Sequence, residues 1–469
     1  MDLQLNYWLT LLWALYLVAL SVWILLQKRP PVSTLAWILS LAALPVLGFA
    51  IYHWLGPVRI KRQTLKRRRS RMLLEREPQP PGSDLYALQT RLEQQQARLV
   101  ERLTRSGPTT ATRIDLLSDG EATFEALLRA VREAGEHIHL EYYIVEPDRI
   151  GTALRDALIE RARAGVVVRF LIDAVGGSAL KRRFLQPLRE AGAEVEFFHP
   201  LRLATLKPLL NLRTHRKIAV IDGRIGFTGG INISDTQDER VRSDAYRDLH
   251  LRIEGAAVNE LQQVFIEDWL YASRRPLQQH GLFPLLPPGE ICLQWLASGP
   301  DTPQEPIHRA MLQAIGDAEQ RVWLVTPYFV PTEPALYALT CAAQRGVDVR
   351  LLVPRRADTR TVTYASRSYF DDLLRAGARV FEYTPRMLHT KVLLVDASLC
   401  TLGSAYFDAR SFRLNFELCV NLYGQAPVAA LQTVLEQDFA QSEEVRRPRT
   451  LCWRQRLAEA GARLLSPVL

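Results

Sequence analysis

The 469-residue sequence predicts an α/β protein: an N-terminal transmembrane helical hairpin, then two α/β domains related by a pseudo-twofold axis and sharing one active-site cleft. Three observations carry the prediction. Two uncharged apolar runs open the chain, amphipathic helices alternate with short apolar strands beyond residue 110, and that alternation is written twice, each copy ending in a His-x-Lys-x4-Asp stretch. An apolar fraction of 48% supports a large core and excludes a disordered chain. The net charge of +9 suits nucleic acid, an anionic membrane or a small anionic substrate, and does not choose among them.

The first apolar run, residues 7–26 (YWLTLLWALYLVALSVWILL), spans roughly the 30 Å hydrocarbon thickness at about 1.5 Å per residue. The second, residues 35–55, follows after only QKRPPVST, and its Pro45 and Gly48 are tolerated in membrane helices. A cleaved signal peptide would need a basic n-region and a small-residue cleavage site, and neither precedes the second run. A buried soluble hairpin is the other competitor, but such long uncharged runs are uncommon in soluble cores. Next comes VRIKRQTLKRRRSRM, which outweighs Lys28 and Arg29 of the connecting turn and places both termini in the cytoplasm by the positive-inside bias. That run is either a topology signal alone or also an attraction to anionic headgroups, worth about 1 kcal/mol per basic residue. PQPPGS at 78–83 breaks the chain, and residues 84–105 have helical spacing.

The two copies match piece by piece. ATFEALLRAVREAGEHIHLEYYIV corresponds to IHRAMLQAIGDAEQRVWLVTPYFV, and RAGVVVRFLID to QRGVDVRLLVP. The expected divisions are 1–57 (two transmembrane helices), 58–110 (basic segment and linker helix), 111–282 and 283–442 (the two α/β domains) and 443–469 (a C-terminal amphipathic segment). Five scattered cysteines form no C-x-x-C pair, so neither a disulfide framework nor a zinc site is expected and a reducing compartment fits.

The first motif is HRKIAVID, 215–222, and the second HTKVLLVD, 389–396. On a strand, residues two apart share a face, so His215 points with Lys217 and His389 with Lys391. Asp222 and Asp396 fall at odd offsets and are expected to support the fold or start the turn. A hairpin centred on Gly223 returns Ile231 and Asn232 to the neighbourhood of His215, and one at Ala397 returns Ala405 and Tyr406 to that of His389. The small residues Gly229, Gly230, Gly403 and Ser404 are expected to leave room for a ligand. Two histidines with two lysines suit a phosphodiester: the lysines neutralise phosphate oxygens, one imidazole attacks phosphorus, and the other protonates the leaving alkoxide. A lone His-x-Lys is more often a chance surface pair; a pair of motifs at equal distance from a Gly-Gly or Gly-Ser is far rarer.

With these motifs the chain resembles the phospholipase D superfamily. THRKIAVIDGRIGFTGGIN, YRDLHLRIEG, TPYFVP, ARSFRLNFE and the terminal LLSPVL, behind two spans, narrow the resemblance to bacterial cardiolipin synthases of the two-span type. It implies two phospholipase D-like domains and a reversible phosphatidyl transfer between two phosphatidylglycerol molecules at the inner membrane, giving cardiolipin and glycerol through a phosphohistidine. No metal or organic cofactor is implied, and the partners are phosphatidylglycerol and an anionic phospholipid membrane, with no nucleic acid. The implied catalytic set is His215, Lys217, Asp222, His389, Lys391 and Asp396, with His215 as nucleophile and His389 as general acid and base, roles that could be exchanged. Asn232, Asp248, Ser404 and Glu417 are implied to bind phosphate or orient the histidines. Tyr406 stands where the family's second motif usually carries Asn, and Thr214 where Asn is common before the first His. Rival functions are a membrane-bound phospholipase D-type hydrolase, a phosphodiesterase or nuclease using the same site, and a non-catalytic scaffold. LRLATLKPLLNLR, before the first motif, is either a lipid-facing rim or a loop over the core, and WRQRLAEAGARLLSPVL either lies on the bilayer or packs on the catalytic domain.

Overall fold

The computed structural model describes residues 2–26, 31–44, 48, 88–199, 212–277 and 281–466. The basic run, the PQPPGS break, most of LRLATLKPLLNLR and the end of the second apolar run lie outside them.

At the N-terminus, helices Asp2–Leu25 and Pro31–Ala43 pack on each other through Leu17, Leu20, Trp23, Ile24, Trp37, Ile38 and Leu41. Leu12, Leu15, Val18, Val22, Leu35 and Leu39 stay exposed, so apolar side chains surround the pair. Among the described residues, which leave out several side chains in the first turns of the longer helix, no helix is long and apolar enough to cross a membrane.

The described residues beyond the hairpin hold two large sheets of matching plan and one small two-stranded sheet. The first half supplies β1 (Thr109–Ala111), β2 (Arg113–Leu117), β3 (His137–Tyr142), β4 (Val167–Asp173), β5 (Glu194–Phe198), β6 (Arg213–Thr214), β7 (Ile218–Ile221), β8 (Ile225–Gly229) and β9 (His250–Glu254). The second supplies β10 (Ile291–Ser298), β11 (Arg321–Val325), β12 (Phe329–Val330), β13 (Asp348–Pro354), β14 (Arg379–Tyr383), β15 (Val392–Val395), β16 (Leu399–Gly403), β17 (Phe407–Asp408), β18 (Asn415–Tyr423) and β19 (Ser442–Glu444). One sheet runs β2-β9-β8-β7-β3-β4-β5, and the other contains β18-β16-β15-β11-β13-β14 in the corresponding order. In each, three parallel strands joined by helices (β3-β4-β5, β11-β13-β14) continue into an antiparallel set that carries the motif. β1 joins the second half's sheet beside β10, and β19 extends that sheet past residue 442.

Each motif strand turns back as the hairpin counting requires: Ile218 faces Thr228, and Val392 faces Leu402. The strands are buried on both faces. Phe198, Ile218, Val220, Phe265 and Trp269 of the first half share one apolar cluster with Trp295, Trp323, Leu394, Phe416 and Val420 of the second, while separate clusters lie under each half's outer helices.

Asp222 and Asp396 sit at the turn ends, where they tie the motif strand to the start of the first parallel strand. The Asp222 carboxylate accepts the backbone N–H groups of Gly135, Glu136 and His137, each at 2.8 Å. Asp396 accepts those of Glu319, Gln320 and Arg321 at 2.8–3.0 Å. Both adopt positive φ, 53° and 50°, a conformation that costs an ordinary residue about 1–2 kcal/mol. Three hydrogen bonds, each worth about 0.5–1.5 kcal/mol net, offset it.

Asp222→Ala is therefore expected to destabilise the fold by about 2–3 kcal/mol. That corresponds to a fall of roughly 5–10 °C in thermal midpoint, with turnover per folded molecule nearly unchanged. Loss of turnover at an unchanged midpoint would instead place this aspartate in the chemistry.

Candidate active site

The two motifs meet because the backbone at the start of each is hydrogen-bonded to the other half. β6, immediately before His215, pairs in parallel with the start of β18, and His215 N–H donates to Phe416 O at 2.8 Å. Reciprocally, Arg247 bridges to Leu388, and His389 N–H donates to Arg247 O at 2.7 Å. The residue after each acceptor is a carboxylate. Glu417 thus lies under His215, with Oε2 3.1 Å from Nδ1, and Asp248 lies under His389, with Oδ2 2.6 Å from Nδ1. Each histidine is oriented by an acid from the opposite half.

A carboxylate on Nδ1 selects the tautomer with the proton there and turns the Nε2 lone pair outward. The carboxylates hold their charge. Burial pushes Asp248 up, but Lys391 and His389 outweigh it and bring it down to about 2; for Glu417, burial is likewise outweighed by His215. Burial lowers both histidines, His389 to about 4, so at neutral pH they rest uncharged. Lys391 Nζ lies 2.7 Å from the His389 Nδ1 but donates to Asp248 Oδ2 at 3.1 Å and to the His389 carbonyl, leaving the Nδ1–H to donate to the carboxylate. Lys217 Nζ donates to the His215 carbonyl at 2.6 Å. Burial is the main cause that lowers both lysines, Lys217 to about 7 and Lys391 to about 8.

The small residues beside the motifs make room for the carboxylates and their strands, contrary to the expectation that they leave space for a ligand. A Cβ on Gly230 would fall 2.2 Å from Asp248 Oδ1, and one on Gly403 would fall 2.3 Å from Leu418 O. Ser404 donates its hydroxyl to Glu417 and presents its carbonyl 3.1 Å from the His215 Nδ1. The Asn232 Oδ1 accepts the Ile144 N–H at 3.2 Å, which leaves its Nδ2 as the group able to donate elsewhere.

Tyr406 lies between the histidines, with ring centroids 4.9 Å from His215 and 5.7 Å from His389. Burial raises its pKa well above the usual phenol value, so the hydroxyl stays protonated and donates to the His389 Nε2 at 2.9 Å. The histidines therefore differ: one lone pair is engaged by Tyr406, while among the described residues the His215 Nε2 carries no hydrogen bond.

Sequence reasoning did not find the tyrosines that wall the cleft. Tyr143 stands edge-on to His215 at 4.9 Å, Tyr246 lies 5.6 Å from His389, and Tyr328 lies 4.6 Å from Tyr406. Their places in YYIV, DAYRDLH and TPYFVP, at the ends of predicted strands, were the available signal. Also unforeseen is a buried group behind His215. Arg216 pairs with Asp268 and donates to Glu417 O at 3.1 Å and Ser298 O at 3.2 Å. Thr214 donates to Glu141, which burial and the Asp268 charge keep protonated.

Paired α/β halves, each giving one His-x-Lys motif to a common cleft, define a phospholipase D-like protein. A family model described as cardiolipin synthase, PLD-like domain, matches residues 127–269 and 311–441, and one described as phospholipase D-nuclease N-terminal matches 14–57. The chain belongs to the cardiolipin synthase family. It is 40% identical to cardiolipin synthase 1 of Bacillus anthracis, over 98% of this chain and 93% of that one. It is 38% identical to the cardiolipin synthase of Halalkalibacterium halodurans, over 96% and 92%. Among solved structures, the phosphatidylserine synthase of Haemophilus influenzae Rd KW20 has the same fold, with a TM-score of 0.62 at 13% identity, over 80% of this chain and 100% of that one.

The lysine environments predict a pH profile. A lysine is neutral above its pKa, so kcat/KM, which reports the free enzyme, should fall as pH rises through about 7 to 8. The loss should appear mainly in KM, because a bound phosphate restores the lysine charge. A kcat/KM that stays flat from neutral pH well into the alkaline range would rule out charged lysines in phosphate binding.

Proposed function

We propose that the chain makes cardiolipin by transferring a phosphatidyl group from one phosphatidylglycerol to another. The observation that carries this reading is the crossed pairing of His215 with Glu417 and His389 with Asp248 in one lysine-lined cleft. Lys217 and Lys391 neutralise the phosphate oxygens. When the anionic phosphate binds, His389 takes up a proton at Nε2 and Asp248 stabilises the imidazolium; the His215 Nε2 then attacks phosphorus, and the bond to the glycerol oxygen breaks as that oxygen takes this proton. His389, now neutral, removes the hydroxyl proton of a second phosphatidylglycerol, whose oxygen attacks the phosphohistidine. Cardiolipin leaves, and His215 and the His389 proton are restored. Both steps are phosphodiester exchanges, so the reaction runs either way. The unengaged lone pair of His215 supports its role as nucleophile over His389.

The N-terminal helices are proposed to span the inner membrane as a hairpin, with the catalytic halves on the cytoplasmic side. Apolar side chains around both helices support this, since a helix apolar on all sides belongs in a core or a bilayer. The domain divisions given above are proposed with it.

The test uses phosphatidylglycerol vesicles with a chelator present and products identified by mass spectrometry. Cardiolipin and glycerol are expected in equal amounts. His215→Ala should abolish them, and His389→Ala should slow turnover by about 10²–10⁴-fold while a covalent phosphatidyl adduct on His215 accumulates. Phosphatidic acid as the sole product would make the protein a hydrolase, and no lipid turnover would favour the phosphodiesterase reading.

A further inference from the structure

The last helix, Trp453–Leu464, has two faces of different character. One is docked: Glu459 and Ala462 are buried, Arg449 pairs with Glu459 at 2.6 Å, Ser466 hydrogen-bonds Tyr369 at 3.0 Å, and the Arg463 guanidinium lies 4.3 Å from the Tyr369 ring centroid. The opposite face is apolar and open. Trp453 is 69% exposed, Leu457 64% and Leu464 82%, and with Ala460 they follow i, i+4, i+7, i+11 spacing, which is one stripe of an α-helix. Arg454 and Arg456, both exposed, flank the stripe on either side.

We propose that this face is a docking surface for an anionic phospholipid bilayer. An apolar stripe bordered by arginines on an otherwise anchored helix is what an interfacial helix presents, the stripe entering the acyl boundary while the guanidiniums meet lipid phosphates. A second copy of the chain fits less well. A few apolar side chains cover far less than the ~800 Å² per partner of a stable interface, and self-association would set arginines against arginines. The place in the fold agrees. This helix packs on helix Arg360–Arg367, whose leading loop carries Asp358, the acceptor of the Tyr328 hydroxyl. Tyr328 in turn packs on Tyr406 beside His389. Arg356 and Arg360, exposed in the same region, extend the basic surface. Helix Arg360–Arg367 thus links the docked face of the last helix to the loop that packs beside the cleft. The inference rests on the membrane reading above but not on the reaction assigned there.

The test puts an environment-sensitive fluorophore on Leu457→Cys in the full chain, with Cys341→Ser and Cys452→Ser, in lipid nanodiscs with and without phosphatidylglycerol. A blue-shifted emission quenched by nitroxide-labelled lipid is expected, stronger by about threefold when phosphatidylglycerol is present. Adding Trp453→Gln and Leu464→Gln should reverse the shift and slow cardiolipin formation by about fivefold, at an unchanged melting temperature because both side chains are exposed. An aqueous emission in phosphatidylglycerol discs would overturn the proposal, as would shielding that follows protein concentration and not lipid, which would mark an interface between copies. Lipid-dependent shielding without cardiolipin formation would uphold the docking surface and remove the transferase reading.

Discussion

The structure depends on one exchange: the backbone of each motif is hydrogen-bonded to the segment of the other half that carries a carboxylate. His215 is fastened at Phe416 and oriented by Glu417; His389 is fastened at Arg247 and oriented by Asp248. Neither half supplies the carboxylate that orients its own histidine. Packing the two halves together is therefore part of building the site, and the shared apolar cluster between them bears on the geometry of the histidines.

The exchange is symmetric in backbone and asymmetric in side chains. Asn232 of the first motif corresponds to Tyr406 of the second, and Arg216 between His215 and Lys217 corresponds to Thr390. Behind His215 the Arg216–Asp268 pair holds the carbonyl of Glu417, so the acid that orients His215 is fixed through its backbone as well as through Ser404 and Asn415. Behind His389 the fixing groups are Lys391 and the Leu249 N–H, and the front of the ring is held by Tyr406. In the proposed reaction His389 trades protons with two different alcohols, and a phenol on its Nε2 offers a neutral partner that substrate oxygen can replace.

Much of this was legible in the sequence because it follows from strand periodicity. The shared face of His and Lys, the hairpin register and the supporting role expected of Asp222 and Asp396 all rest on counting along a strand. The meaning of Gly230 and Gly403 was not legible, because what fills the space beside a glycine comes from β9 and β18, strands whose approach no local pattern specifies. The same limit hid Glu141 and Asp268, which meet Thr214 and Arg216 on either side of His215, and Tyr143, which meets His215 itself, all through tertiary packing. The crossing of the carboxylates was half visible: Asp248 and Glu417 could be picked out by resemblance, but only the sheet pairing says which histidine each serves.

Burial of this charge set bears on the choice between transfer and hydrolysis. A phosphohistidine reacts with water as readily as with a lipid hydroxyl, so a transferase must keep the intermediate dry. Here His215, His389 and both lysines are almost fully buried, and Tyr143, Tyr246, Tyr328 and Tyr406 close around them. That same dryness is what lowers the lysines to about 7 and 8, which weakens their hold on the empty cleft's charge until an anionic phosphate arrives. Substrate binding then raises the lysine pKa values and completes the electrostatic site. Water and the second lipid hydroxyl compete only after the phosphohistidine of the proposed reaction has formed, when the lysines already hold its phosphate, so it is the dryness of the cleft that favours transfer over hydrolysis.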